Sequence, residues 1–288
     1  MGGHKMSNAF CIPRVELGGV PLVTIGCTEL SKIVVRNSSY RLRSGCKPLI
    51  CVDMNGQGLS LFHSNPSYRQ AVLSSEIVHA DGAFLVMASK VFTGKHISGR
   101  SATTDVFYAV QQDDAISSVG QYFLGGRPEI LDKCVGEVKT NFPKAKVVGS
   151  CHGYFSQRDE NELIESINDS GAAILWVGLG KPLEQEWVIA NRERLKVGWI
   201  ITCGGLFNFV AGEYKRAPVV WQNLGFEWLH RAITRPRQLM WRYLSTSPHA
   251  VFELIRHHRA NDLSSVNLEW GYGPDTDIDS GDVRDDTK

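Results

Sequence analysis

No stretch of the 288 residues approaches the run of about 18 apolar residues that a spanning helix needs, so any membrane contact is expected to be peripheral. The chain has no GxxxxGK(S/T), which removes a Walker phosphate loop, and no true GxGxxG, because Leu183 stands where the last glycine would fall after Gly178 and Gly180. It has little net charge, formally +1, which gives no reason to expect a nucleic-acid partner. Its seven cysteines (11, 27, 46, 51, 134, 151 and 203) are an odd number with no CxxC pair and no zinc-like spacing. That set reads as reduced thiols in a cytosolic protein. Met1-Gly2-Gly3-His4-Lys5 lacks the apolar core of a signal peptide.

Short β-like runs alternate with helical stretches through most of the chain. Candidate strands are 22–25, 49–52, 77–79, 122–124, 146–148, 174–177 and 199–202, and candidate helices include 128–141, 159–168 and 184–195. This alternation predicts an α/β fold with a Rossmann-like, largely parallel sheet flanked by helices. After Gly205 the pattern becomes helical, with segments 206–210, 219–233, 237–244 and 249–258 set off by Pro218, Pro236 and Pro248. From Lys215 to Arg259 eight basic residues face only Glu227 and Glu253, whereas acids dominate from Asp262 onward. The expected organisation is an N-terminal tail (1–17), an α/β domain (18–217), a helical membrane-associating appendage (218–260) and a disordered acidic tail (261–288).

Asp81 concentrates the functional signal. It ends the apolar run Ile77-Val78-His79-Ala80 and precedes Gly82 and a long apolar stretch. That pattern puts a carboxylate at a strand's carboxyl edge, where open α/β sheets bind ligands. There it can act as a general base, or simply cap the next helix. Asp53 and Asn55 end another apolar run and can bind ligand hydroxyls or shape a turn. Arg100 and Thr103, before a helical stretch, can grip a diphosphate, or be a solvated arginine and a cap. Glycine turns at Gly125, Gly178 and Gly180 suit a ligand but also suit any βα turn. Glu184 and Gln185 open a helix, where an acid also complements the dipole. Gly204 and Gly205 follow a strand, and Lys215 with Arg216 can complete an anionic site or be solvated surface. Trp221, Trp228, Trp241, Tyr243 and Phe252 interleave with Arg231, Arg235, Arg237 and Arg242. Rings and cations in that mixture fit an anionic membrane surface, or the core of an ordinary helical subdomain.

Together these segments resemble the WecG/TagA/CpsF glycosyltransferases, glycosyltransferase family 26, over about residues 18–244. The most specific parts are Ala80-Asp81-Gly82, Gly178-Leu179-Gly180 with Pro182, Gly204-Gly205, Lys215-Arg216-Ala217-Pro218 and Leu224-Gly225-Phe226-Glu227-Trp228-Leu229-His230-Arg231. The resemblance implies inverting transfer of a sugar from a UDP-sugar to a polyprenyl-diphosphate-linked saccharide at the cytoplasmic face of the membrane, in cell-surface or exopolysaccharide synthesis. It also implies no metal or other cofactor. It matches Asp81 to the family's base, Asn55 to its asparagine and Arg100 to its arginine. The chain departs from the family at Asp53, where several members have Thr, and at Pro182-Leu183-Glu184-Gln185, where many have Pro-Lys-Gln-Glu. Glu184 then takes the family's glutamine position and leaves the role of Gln185 open. In the expected single displacement, Asp81 takes the acceptor's proton while Arg100, Lys215, Arg216 and Arg231 meet the charge on departing UDP. Asp113-Asp114 reads as solvated surface rather than a metal pair. The alternatives are a nucleotide-sugar-binding regulator without turnover and an NAD-dependent oxidoreductase. Donor sugar, acceptor lipid and any homo-oligomer stay open.

Overall fold

The computed structural model describes residues 9–93, 97–98, 101–214, 218, 221, 236–257 and 262–269. Its centre is a six-stranded sheet built from β3 (Leu49–Met54), β4 (Ile77–Ala80), β5 (Gly120–Gly125), β6 (Lys146–Cys151), β7 (Ile174–Gly178) and β8 (Trp199–Thr202). The order across the sheet is β4-β3-β8-β7-β5-β6, and every neighbouring pair is parallel. The inner strands β3, β5, β7 and β8 are buried along their full length, as near-continuous apolar runs such as Leu49-Ile50-Cys51-Val52 require. Edge strand β6 is partly exposed.

Helices cover both faces, and alternate residues of each strand feed two separate cores. Leu49, Cys51, Trp176, Trp199 and Ile201 join one core, while Ile50, Val52, Leu175, Val177 and Ile200 join the other. The helices in chain order are α1 (Cys27–Ser44), α2 (Gly56–Ser64), α3 (Pro66–Leu73), α4 (Ala83–Thr93), α5 (Thr103–Gln112), α6 (Pro128–Asn141), α7 (Glu160–Asp169), α8 (Leu183–Asn191), α9 (Leu206–Val210) and α10 (Pro236–Arg256). The sheet's amino end is tied by Arg192, which donates to Pro48 O, Ser74 O and Glu76 Oε1 at 2.6–3.1 Å.

Three expectations need correction. The first 17 residues are not simply a tail, because Ala9–Leu17 forms β1 and buries Ile12, Val15 and Leu17. The run expected at 22–25 is Val20–Val23 (β2), and it pairs antiparallel with β1 rather than joining the parallel sheet. The acidic segment is not disordered throughout. Asp262–Glu269 forms β9, which completes an antiparallel sheet of order β2-β1-β9. Its Val266 packs on the first core. The acidic composition of the tail concealed the alternation of Val266 and Leu268, which is a strand signal whatever the average charge. A fourth difference lies in the appendage. Segments 237–244 and 249–258 are one helix, α10, running through Pro248, where a proline removes a single backbone donor without ending the helix.

Candidate functional site

The carboxyl edge of the parallel sheet gathers most of the residues singled out above. β3 and β4 pair through Met54 and Ala80, so Asn55 and Asp81 are the next residues outward on adjacent strands. The Asp81 backbone N–H donates to Met54 O at 2.7 Å, which pins the Asp81-Gly82 turn to the end of β3. Asp81 is half-buried there, immediately before α4. Asn55 is the N-cap of α2, and its Oδ1 accepts from Gly58 N at 3.0 Å. The turn-shaping role of Asn55 is therefore present, and the cap fixes the asparagine beside Asp81.

Behind this edge lies an enclosed polar cluster. Asp53 Oδ2 accepts from the Lys181 ammonium, and both side chains are shut off from solvent. Burial alone would lower the Lys181 pKa, but Asp53, Tyr68 and Glu184 hold it well above its usual value. Glu184 is also fully buried. Its Oε2 accepts from Gly180 N and Gly204 N, both at 3.0 Å, and its Oε1 accepts from Gln185 Nε2 at 3.0 Å. Burial pushes the Glu184 carboxyl up to about 7, against the opposing pull of Lys181 and the two backbone donors. One carboxyl thus clamps the turn after β7 to the turn after β8. Gln185 is enclosed as well and also reaches Thr202 Oγ1 at 3.4 Å. Both residues support the edge from beneath instead of lining an open surface.

The glycines have packing reasons of their own. Gly125 has φ 134°, and a Cβ there would lie 2.2 Å from Gly178 O. A Cβ on Gly178 would sit 2.8 Å from Gly204 O. Strand ends β5, β7 and β8 therefore approach too closely for any side chain, which brings Gly125, Gly178 and Gly204 together. Gly180 and Gly205 occupy the flanking turns. Thr103 opens α5 but does not cap it, since Ala102 is the N-cap; its buried Oγ1 has no partner among the described residues. Ser101 links that segment to the edge by donating to Ala80 O and accepting from His79 Nδ1 at 2.6 Å. Arg100, Lys215, Arg216 and Arg231 lie outside the described residues. Asp113-Asp114 sits on the surface: Asp113 caps a short turn, and Asp114 pairs with Lys144 at 2.8 Å.

Two participants escaped the sequence reading. Lys181 sits in the quoted Gly178–Pro182 turn, and its signal was a lysine wedged between glycine and proline among apolar neighbours. His79 stands opposite Asp53 in the β3–β4 register and two residues before Asp81. Burial lowers its pKa, and its Nε2 has no partner among the described residues. A histidine inside an otherwise apolar strand, in phase with Asp81, was legible. The described residues at this edge include one half-buried carboxylate, Asp81, and a set of close-packed glycine turns. The model of the glycosyl transferase WecG/TagA/CpsF family matches residues 15–263, from β1 to the start of β9. The chain belongs to the WecG/TagA/CpsF family of glycosyl transferases.

Proposed function

We propose that the protein is an inverting transferase that moves a sugar from a UDP-sugar to a lipid diphosphate-linked saccharide, with Asp81 as general base. The observation that carries this reading is the placement of Asp81. It is half-buried at the sheet's carboxyl edge, held by its own backbone beside Asn55, the N-cap of α2. General-base assistance to an acceptor hydroxyl contributes about 10²–10⁴-fold. Departing UDP needs positive charge that is not already matched. Lys181 is matched by Asp53, so the proposal assigns that work to Arg100, Lys215, Arg216 and Arg231.

Two exposed apolar stripes support a lipid-linked acceptor and peripheral docking at the cytoplasmic face of a membrane. On α4, directly after Asp81, Phe84, Met87 and Val91 are exposed at helical spacing. On α10, Trp241, Leu244, Val251, Phe252 and Ile255 are exposed. Among the described residues no helix is long and apolar enough to cross a membrane.

The test is UDP release from a panel of UDP-sugars, with and without a lipid diphosphate-linked acceptor. One donor should give release that depends on the acceptor. Binding of UDP-sugars with no release under either condition would identify a nucleotide-sugar sensor instead.

A further inference from the structure

Away from the candidate site, three histidines surround one buried carboxylate where α10 packs on α2. His249, Glu253 and His257 follow one another at intervals of four, so they share one face of α10. His63 comes from the last turn of α2. Glu253 Oε1 lies 3.3 Å from His249 Nε2, whose other nitrogen is 2.9 Å from Ser60 Oγ. Glu253 Oε2 is different. It is buried, makes no directed hydrogen bond among the described residues, and lies 3.5 Å from His63 Nδ1 and 3.2 Å from His257 Nδ1, a nitrogen that is also 3.2 Å from the Glu253 carbonyl oxygen.

The tautomer of His63 is fixed by its neighbour. Its Nε2 is 2.8 Å from the carbonyl oxygen of Gly18, which can only accept, so Nε2 carries the proton. In the neutral ring Nδ1 is then a lone pair aimed at a carboxylate oxygen. A lone pair facing a carboxylate in an enclosed space is relieved by a proton or a metal ion between them.

We propose that His63 Nδ1, Glu253 Oε2 and His257 Nδ1 form a site for a divalent transition metal of the zinc class, which fastens α10 to α2. Neutral imidazoles and one carboxylate are the donors such an ion takes, with an open fourth position for water; at His257 Nδ1 the ion displaces the proton shared with the Glu253 carbonyl. Bonds of about 2.1 Å in a tetrahedral site give edges near 3.4 Å, and the observed 3.2 and 3.5 Å fit that shape. All three donor atoms lie within 4.8 Å of one another, so small side-chain rotations close the third edge. The rings of His63 and His257 are stacked, 4.6 Å apart at 22°, so a rotation of the more exposed His257 ring is needed to bring both nitrogens onto one ion. The Gly18 carbonyl supplies the outer hydrogen bond that orients a ligating histidine. The ion joins residues 190 positions apart and takes no part in glycosyl transfer. It does bear on the site, because α2 starts at the Asn55 cap and reaches His63 roughly 12 Å further along its axis.

The experiment uses the full-length, tag-free chain after chelator treatment. Titration with Zn²⁺, followed by calorimetry and thermal melting, should show one ion bound per chain and a Tm raised by several degrees at saturation. Co²⁺ should give the visible bands of a tetrahedral nitrogen and oxygen site, with no thiolate charge-transfer band from the free cysteines. His257→Gln and His63→Gln should each weaken Zn²⁺ binding at least tenfold (about the lower bound for lost supporting contacts) and remove the Tm rise. The His257 side chain is 39% exposed, so His257→Gln tests the site even if His63→Gln fails to fold. No Tm change with Zn²⁺, a thiolate spectrum, or unchanged affinity in His257→Gln would overturn the proposal.

Discussion

Asp53 and Lys181 form an ion pair closed off from solvent, and its energetic sign depends on which partner is removed. Lys181→Met leaves a buried carboxylate unpaired and should cost about 3–5 kcal/mol, read as a lower midpoint in urea. Adding Asp53→Leu removes the orphaned charge, so the double variant should recover a large part of that loss. A double variant no more stable than Lys181→Met would mean the pair is not the source of the effect. Glu184 makes a prediction in pH. Its folded pKa, raised to about 7 from an unfolded value of 4.5, means that the folded state binds this proton more tightly. The stability it contributes is complete below the unfolded pKa and is lost as pH rises through the folded one. Relative to Glu184→Gln, which cannot titrate, the wild type should therefore lose stability between about pH 4.5 and about pH 7, at no more than about 1.4 kcal/mol per pH unit. A flat difference across that range would refute the assignment.

At the scale of elements, the question is what α10 does with its two faces. One face packs on α2, with Ala250 and Leu254 buried in the second core. The other exposes Trp241, Leu244, Val251, Phe252 and Ile255. Deleting the whole segment is a poor test of membrane docking, because it would also strip β9 from β1 and uncover α2. Replacing Trp241, Phe252 and Ile255 by serine touches only exposed positions. That triple variant should melt like the wild type yet lose at least tenfold in affinity for anionic vesicles, since each large side chain buried at an interface contributes about 1.5–3 kcal/mol. Unaltered vesicle binding would remove α10 from the docking surface. The sequence made these helices visible but not their continuity through Pro248, since a proline marks a helix start more often than a tolerated interior position. It showed β9 poorly for a related reason. Acidic residues set the average character of the tail, while strand pairing depends only on local alternation and on β1 offering a free edge.

For the whole molecule, the parallel sheet was the most legible feature, because buried strands such as Ile174-Leu175-Trp176-Val177 carry long apolar runs ending in glycine. The gathering of Asn55, Asp81, Gly125, Gly178 and Gly204 at one edge follows from that topology, as every βα turn of a parallel sheet emerges on the same side. The inward-facing supports were less visible. Lys181, His79 and Glu184 are polar residues within apolar context, and which of them meet depends on strand order rather than on spacing along the chain. The edge is thus an enclosed polar scaffold with one half-buried carboxylate, Asp81, which we propose as the base. The most direct test compares acceptor-dependent UDP release by the wild type and Asp81→Asn, alongside their melting temperatures. The expected result is unchanged melting and a loss of turnover of at least about 100-fold. Turnover within a few-fold of wild type in Asp81→Asn would contradict it.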